Sequence, residues 1–137
     1  RDETILCSHY KLADNEWYII PGGGVNSEET AEEGNVREVM EETGYAITVN
    51  ELVFVREFIP SRLGGKHFKE GFHQIELFFL CSLENDIPME PTEHDNHQIG
   101  CEWIPLSKLE EINFFPTSLK TNIRTRHFPT KYVGNVG

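Results

Sequence analysis

The chain has 137 residues, with 12 Lys plus Arg against 23 Asp plus Glu, for a net charge of −11. That length fits one domain and is too short for two full cores. About two-thirds of the unfolded surface of such a chain is buried on folding, so neither a disulfide nor a metal is needed to hold it together. The acidic balance excludes a nonspecific nucleic-acid binder, whose footprint is basic. It admits a small anionic substrate if a metal cation stands between the charges. No run of about 18 apolar residues reads as a transmembrane helix, and no signal-peptide pattern is visible, so a cytoplasmic location is expected. The chain opens on Arg1, as a trimmed product would. Cys7, Cys81 and Cys101 are odd in number and lie in apolar, strand-like runs, which reads as reduced, buried thiols.

Thr4 to Tyr10 is apolar-rich and reads as a strand; Glu16 to Ile20 reads as a second, ended by Pro21 and Gly22 to Gly24. Thr30 to Thr43 reads as a helix. Thr30 is a good N-cap, Glu33 completes a capping box, and Gly44 stands where a left-handed glycine would end it. Ala31, Val36, Val39 and Met40 supply the core stripe, and the opposite face is acidic. Ala46 to Phe58 reads as one bent strand or two, and Pro60 to Gly71 as a loop. His73 to Leu83 is the clearest strand, with an apolar run suited to a sheet centre. Asn85 to Gln98 is polar with two prolines and reads as a loop, and Ile99 to Ile104 as another strand. Ser107 caps a short helix through Ile112, and Thr117 to Arg126 forms a last one. This order points to a single α/β (α+β) sandwich over residues 1–137.

Seven glutamates fall between Glu28 and Glu42 against one Arg37, a local charge of −6 and more than half of the total. Glu38, Glu41 and Glu42 lie at i, i+3 and i+4, which share one helical face. Three carboxylates there repel one another unless a cation sits among them. Hard cations such as Mg²⁺ take oxygen ligands and bind through one or two carboxylates plus substrate phosphates.

The surrounding residues read Gly23, five residues, Glu29, seven residues, Arg37-Glu38-Val39-Met40-Glu41-Glu42-Thr43-Gly44-Tyr45. This resembles the Nudix box, glycine–x5–Glu–x7–Arg-Glu-U–x–Glu-Glu–x–Gly-U, with U a bulky apolar residue. Only the last position is loose, because Tyr45 carries a polar tip. Trp17 to Gly24 is similar to the strand and turn that precede the box, and Glu102 to Leu106 to a late strand before a short helix. The resemblance covers Thr4 to Ile112. It implies an α/β/α sandwich with a mixed sheet and a further strand before Thr4, for which only Arg1 to Glu3 remain.

The resemblance also implies roles. Glu38, Glu41 and Glu42 would bind Mg²⁺ or Mn²⁺, with Glu38 or Glu41 also a candidate base. Gly23 and Gly24 would let backbone approach metal and phosphates. Glu29 and Arg37 would pair to hold the loop against the helix, which Gly44 would end. The implied reaction is hydrolysis of a diphosphate linked to another group X. Some members draw the base from a downstream loop, where Glu93 and Asp95 are the candidates here.

Substrate clues are fewer. Pro60 lies fifteen residues past Tyr45, a spacing that in this family resembles ADP-ribose pyrophosphatases. Arg56, Arg62, Lys66 and Lys69 are the main basic cluster, and Arg56 and Arg62 are candidate phosphate or ribose contacts. Trp17, Tyr18, Phe68 and Phe72 are candidates to stack on a base. The alternative within the class is a house-cleaning hydrolase of oxidised nucleoside triphosphates. A non-catalytic nucleotide-binding regulator fits less well, because the box is intact. The expected partner is a small nucleotide, not a nucleic acid or a membrane. The family admits homodimers, although no residue here specifies one.

Overall fold

A computed structural model describes residues 1–137. Strand β1 (Thr4–Leu12) turns back into β2 (Asn15–Ile19), and helix α1 (Ala31–Thr43) follows the glycine turn. Then come β3 (Ile47–Phe58), β4 (Gln74–Leu83), β5 (Gln98–Pro105), the two-residue β6 (Phe114–Phe115), helix α2 (Lys120–Thr125) and β7 (Lys131–Asn135). One sheet has the order β5-β1-β2-β6, the other β4-β3-β7, and each includes one parallel pairing. The fold is the expected mixed α+β class. No helix is long and apolar enough to cross a membrane.

Strand alternation assigns the two faces of each sheet. In the first sheet Cys7 points into a core with Phe54, Leu109, Phe114, Leu119 and Ile123, so α2 packs on that side. Ser8, next in the chain, points the other way and donates to Glu42 of α1. In the second sheet Phe78 packs on the same core, while Cys81 accepts from Asn35 of α1. Helix α1 therefore lies on one side of the two sheets and α2 on the other.

Helix α1 begins and ends where its sequence dictates. The Thr30 side chain accepts from the Glu33 amide and the Glu33 carboxylate accepts from the Thr30 amide, a complete capping box. Gly44 ends the helix at φ 75°. It is doubly required, because a Cβ there would also overlap the carbonyl of Met89. The segment from Ala46 is one strand, bent by two shifts in the ladder at Asn50 and Val53. The second shift lets the neighbours Val53 and Phe54 both turn into the core.

Four readings are corrected. The apolar run at His73 to Leu83 is an edge strand rather than a sheet centre, with Ile75 and Leu77 exposed; hydrophobicity alone does not distinguish the two. The helix expected from Ser107 to Ile112 shrinks to a 3-10 turn at Leu106–Lys108. The last helix starts as a 3-10 turn, Thr117–Leu119, and ends at Thr125. Strands β6 and β7 escaped detection because two and five residues carry too little periodicity. Of the thiols, Cys7 is fully buried, and Cys81 and Cys101 are half-buried.

Candidate active site at the end of helix α1

Arg37 organises one side of the site. Its Nε donates to Glu29 Oε1 at 2.7 Å and its Nη2 to Glu29 Oε2 at 3.1 Å, a bidentate pair. The same Nη2 donates to the Gly24 carbonyl at 2.8 Å. Nη1 donates to Glu38 Oε1 at 2.9 Å and to Glu41 Oε2 at 3.0 Å. All five N–H groups of the guanidinium are thereby used. Arg37, and then the Asn26 amide, hold the Glu29 carboxyl below the usual carboxylate range. Arg37 is itself pushed further up by Glu29 and Glu38. The glycine turn fits around this arrangement, because a Cβ on Gly23 would overlap the Glu38 carboxylate. Gly24 has open space around its Cα and contributes its carbonyl instead.

Glu42 faces the other way. It is 3% exposed, and its Oε2 accepts from the Gly22 amide at 3.1 Å and from Ser8 Oγ at 3.3 Å. Burial pushes its carboxyl up to about 7 against the Gly22 amide, with Asp95 and Glu38 adding to the rise. The Asp95 carboxyl lies near enough to Glu42 to raise it, and accepts from the Tyr10 hydroxyl at 3.1 Å. Burial, Glu42 and Asp95 in turn raise the Tyr10 phenol.

The downstream loop is bolted to this end of the helix. The amides of Thr92 and Glu93 both donate to the Glu41 carbonyl, and the Met89 amide donates to Gly44 O at 2.9 Å. These bonds satisfy carbonyls that a helix C-terminus leaves open. Glu93 is thus held by its backbone, with an exposed side chain. Of the two loop carboxylates, it is Asp95 that reaches Glu42.

The remaining expected residues scatter. Arg56 is buried, donates to Glu76 Oε2 at 2.8 Å and lies over the Phe58 ring. It shares the face of Phe54, opposite to α1, so the expected phosphate contact is not supported: burial has fixed this cation in an internal pair. Pro60 is buried at the start of a 3-10 turn, Pro60–Leu63, and its carbonyl accepts from the Gly65 amide. Arg62 on that turn is exposed. Phe68 and Phe72 pack with Phe58 in a cluster of their own. Tyr18 stacks on His9 on the core side. Trp17, on the α1 side, stacks on Tyr10 at 5.6 Å beside Asp95. Tyr45 satisfies the loose position of the box, because its buried hydroxyl accepts from Trp103 Nε1 at 3.0 Å. Sequence reasoning missed Ser8, Tyr10, Gly22 and Gln98, which touch Glu42 or Asp95 from distant parts of the chain and carry no local pattern.

The donor set suits a hard divalent cation: carboxylate oxygens, one of them buried without a cation, and a guanidinium already drawn in between two others. No three such side chains converge on one point, however. Arg37 draws Glu38 and Glu41 to one side, and Ser8 and Gly22 draw Glu42 to the other.

A model of the NUDIX domain matches residues 1–124. The Caenorhabditis elegans protein "Putative nudix hydrolase 1" is 32% identical over 101 residues, 73% of this chain and 23% of that protein, so the chain spans about a quarter of that relative's length. A NUDIX hydrolase from Nitrosomonas europaea superposes with a TM-score of 0.73 at 15% identity, over 96% of this chain and 85% of the other. An ADP-ribose pyrophosphatase from Streptococcus suis superposes with a TM-score of 0.66 at 15% identity, over 96% and 91%. At such identities the two structures speak for the fold alone, whereas the family match extends over the box itself. With its glycine turn, capped helix and paired Glu29 and Arg37 in place, the chain belongs to the Nudix family.

Proposed function

We propose that this chain hydrolyses the diphosphate of a nucleoside diphosphate linked to another group, using a divalent metal ion. The observation that carries the reading is the Gly22–Gly24 turn folded onto the end of α1, with Glu38 and Glu41 held by Arg37 on one side of it and Glu42 bonded to the Gly22 amide on the other. Glu38, Glu41 and Glu42 would hold Mg²⁺ or Mn²⁺, the cofactor type that the family generally uses. When bound, the ion neutralises diphosphate oxygens and acidifies a water molecule.

The protein's own groups do the rest. Arg37 restrains Glu38 and Glu41, so that they enter the site from a fixed side. The Glu29–Arg37 pair and the Gly24 carbonyl hold the turn against the helix. Glu38 and Glu41 are the candidate bases on the helix. Of the two loop candidates, Glu93 and Asp95, Asp95 is favoured as the base, because its carboxyl lies near the buried Glu42. Trp17 offers an aromatic surface on the same side for a nucleobase. An ADP-ribose-like substrate is the first to test. It is supported by the spacing of Pro60, fifteen residues past Tyr45.

The experiment is a product-release panel at equal Mg²⁺ with Glu41→Gln protein as blank: ADP-ribose, other nucleotide sugars, dinucleoside polyphosphates, and normal and oxidised dNTPs. Release of AMP from ADP-ribose supports the reading. Conversion of a triphosphate to the monophosphate redirects it to the house-cleaning class. Tight binding of a panel member with no turnover of any overturns the enzymatic reading.

A further inference from the structure

Gln98 is one of few buried polar side chains, and nothing in the box calls for it. It opens β5, directly after the loop that carries Asp95. Its three bonds have a single geometric effect. Oε1 accepts from the Asp95 amide at 3.2 Å. Nε2 donates to the Glu42 carbonyl at 3.4 Å and to the Gly100 carbonyl at 3.3 Å. One amide group thus clamps the backbone of Asp95 to the backbone of Glu42, with β5 as the anchor. Only a carboxamide does this, since the clamp needs an acceptor and two donors at one side-chain end. From the opposite side, Tyr10 Oη fixes the Asp95 carboxylate itself.

We infer that Gln98 is a positioning residue, which with Tyr10 holds the Asp95 carboxyl beside Glu42 and so completes the cation-binding end of α1. This rests on the function proposed above, and it adds two residues that the box does not contain. A side chain buried to this degree, with both its donors and its acceptor engaged, is held in one rotamer, as a supporting shell must be to orient a charged ligand. Thr92 and Glu93 bind the neighbouring Glu41 carbonyl, so their loop stays docked without Gln98. Loss of the Gln98 side chain therefore loosens the Asp95 segment in particular, which keeps the bond from the Gln98 amide to the Asp95 carbonyl at 3.0 Å and that from Tyr10.

The test is a double-mutant cycle read by Mn²⁺ affinity, from the electron paramagnetic resonance signal of free Mn²⁺, alongside kcat and KM. Gln98→Met keeps side-chain length and removes all three bonds. It is expected to weaken Mn²⁺ binding about tenfold and to lower kcat with little change in KM. In an Asp95→Asn background the same change is expected to add almost nothing, because its route of action is already gone. Tyr10→Phe, which removes one hydroxyl, is expected to behave the same way to a smaller extent and serves if Gln98→Met does not fold. Unchanged Mn²⁺ affinity in both single variants overturns the inference, as does an effect that persists in full in the Asp95→Asn background. Glu41→Gln in the same series separates the two levels. If it abolishes turnover while Gln98→Met and Tyr10→Phe are silent, the positioning role fails and the proposed function stands. If Glu41→Gln turns over normally, the proposed function itself fails.

Discussion

Glu41 and Glu42 are neighbours in sequence and sit in opposite electrostatic surroundings. Glu41 is partly exposed and shares the Arg37 guanidinium with Glu38. Its cation is built into the chain. Glu42 is buried, faces another carboxyl group on Asp95, and receives only a hydroxyl and one backbone amide. A buried carboxyl without a cation is pushed towards its neutral form. The helix thus holds one side partly balanced by a cation of the chain and one left incomplete, with no positive charge at all. A divalent ion placed between them would complete the second side and compete with Arg37 for the first.

The largest expected effect comes from removing a proposed metal ligand on the Arg37 side. Glu41→Gln is expected to lower turnover roughly 10³-fold while leaving the thermal midpoint nearly unchanged, because a partly exposed carboxamide is close to isosteric. Steady-state kinetics with a matched unfolding curve measures both. Turnover near that of the wild type would remove Glu41 from the site.

Arg37→Gln breaks the balanced side. Glu29, Glu38 and Glu41 lose their shared cation, so the metal-free protein is expected to unfold at a lower temperature and activity to fall roughly 10²-fold. Added Mg²⁺ is expected to recover part of the midpoint. A variant as stable as the wild type would show that the network is an exposed pair of little consequence.

Most of the balanced side was legible in the sequence, and little of the incomplete side was. The capping box, the Gly44 stop and the Glu29–Arg37 pair are contacts between residues at most eight apart, so spacing encodes them. The surroundings of Glu42 come from Ser8, Gly22 and the stretch from Asp95 to Gln98, which three separate segments supply. No spacing rule reaches across those distances. Arg56 misled for a related reason. A cation in an acidic chain looks available until the fold supplies Glu76 twenty residues away. The same holds for β4, whose apolar run names a strand and cannot name its neighbours.

Gly23→Ala perturbs the balanced side more gently. The new methyl must displace the Glu38 carboxylate, and a shift of about 1 Å at such a group costs roughly 10- to 100-fold in rate. Kinetics with intact far-ultraviolet circular dichroism is the check. An unaffected rate would mean that Glu38 has freedom to spare.

The smallest effect concerns pH. The folded Glu42 carboxyl sits near 7, above its ordinary value of 4.5, so the folded state holds the proton more tightly than the unfolded one. Stability from this source is present at low pH and is lost as pH rises through about 7. Relative to Glu42→Gln, the metal-free wild type is therefore expected to lose thermal midpoint across that interval. Saturating Mg²⁺ is expected to abolish the loss. Parallel midpoint curves for the two proteins would show that Glu42 is not strained when ionised.

The most direct test of the incomplete side is a Mn²⁺ titration of wild type, Glu41→Gln and Glu42→Gln, followed by the signal of free Mn²⁺. Saturable binding by the wild type, weakened about tenfold or more in each variant, is the expected result. Identical isotherms for all three proteins, or no binding by the wild type, would contradict the assignment of the missing charge to a divalent ion.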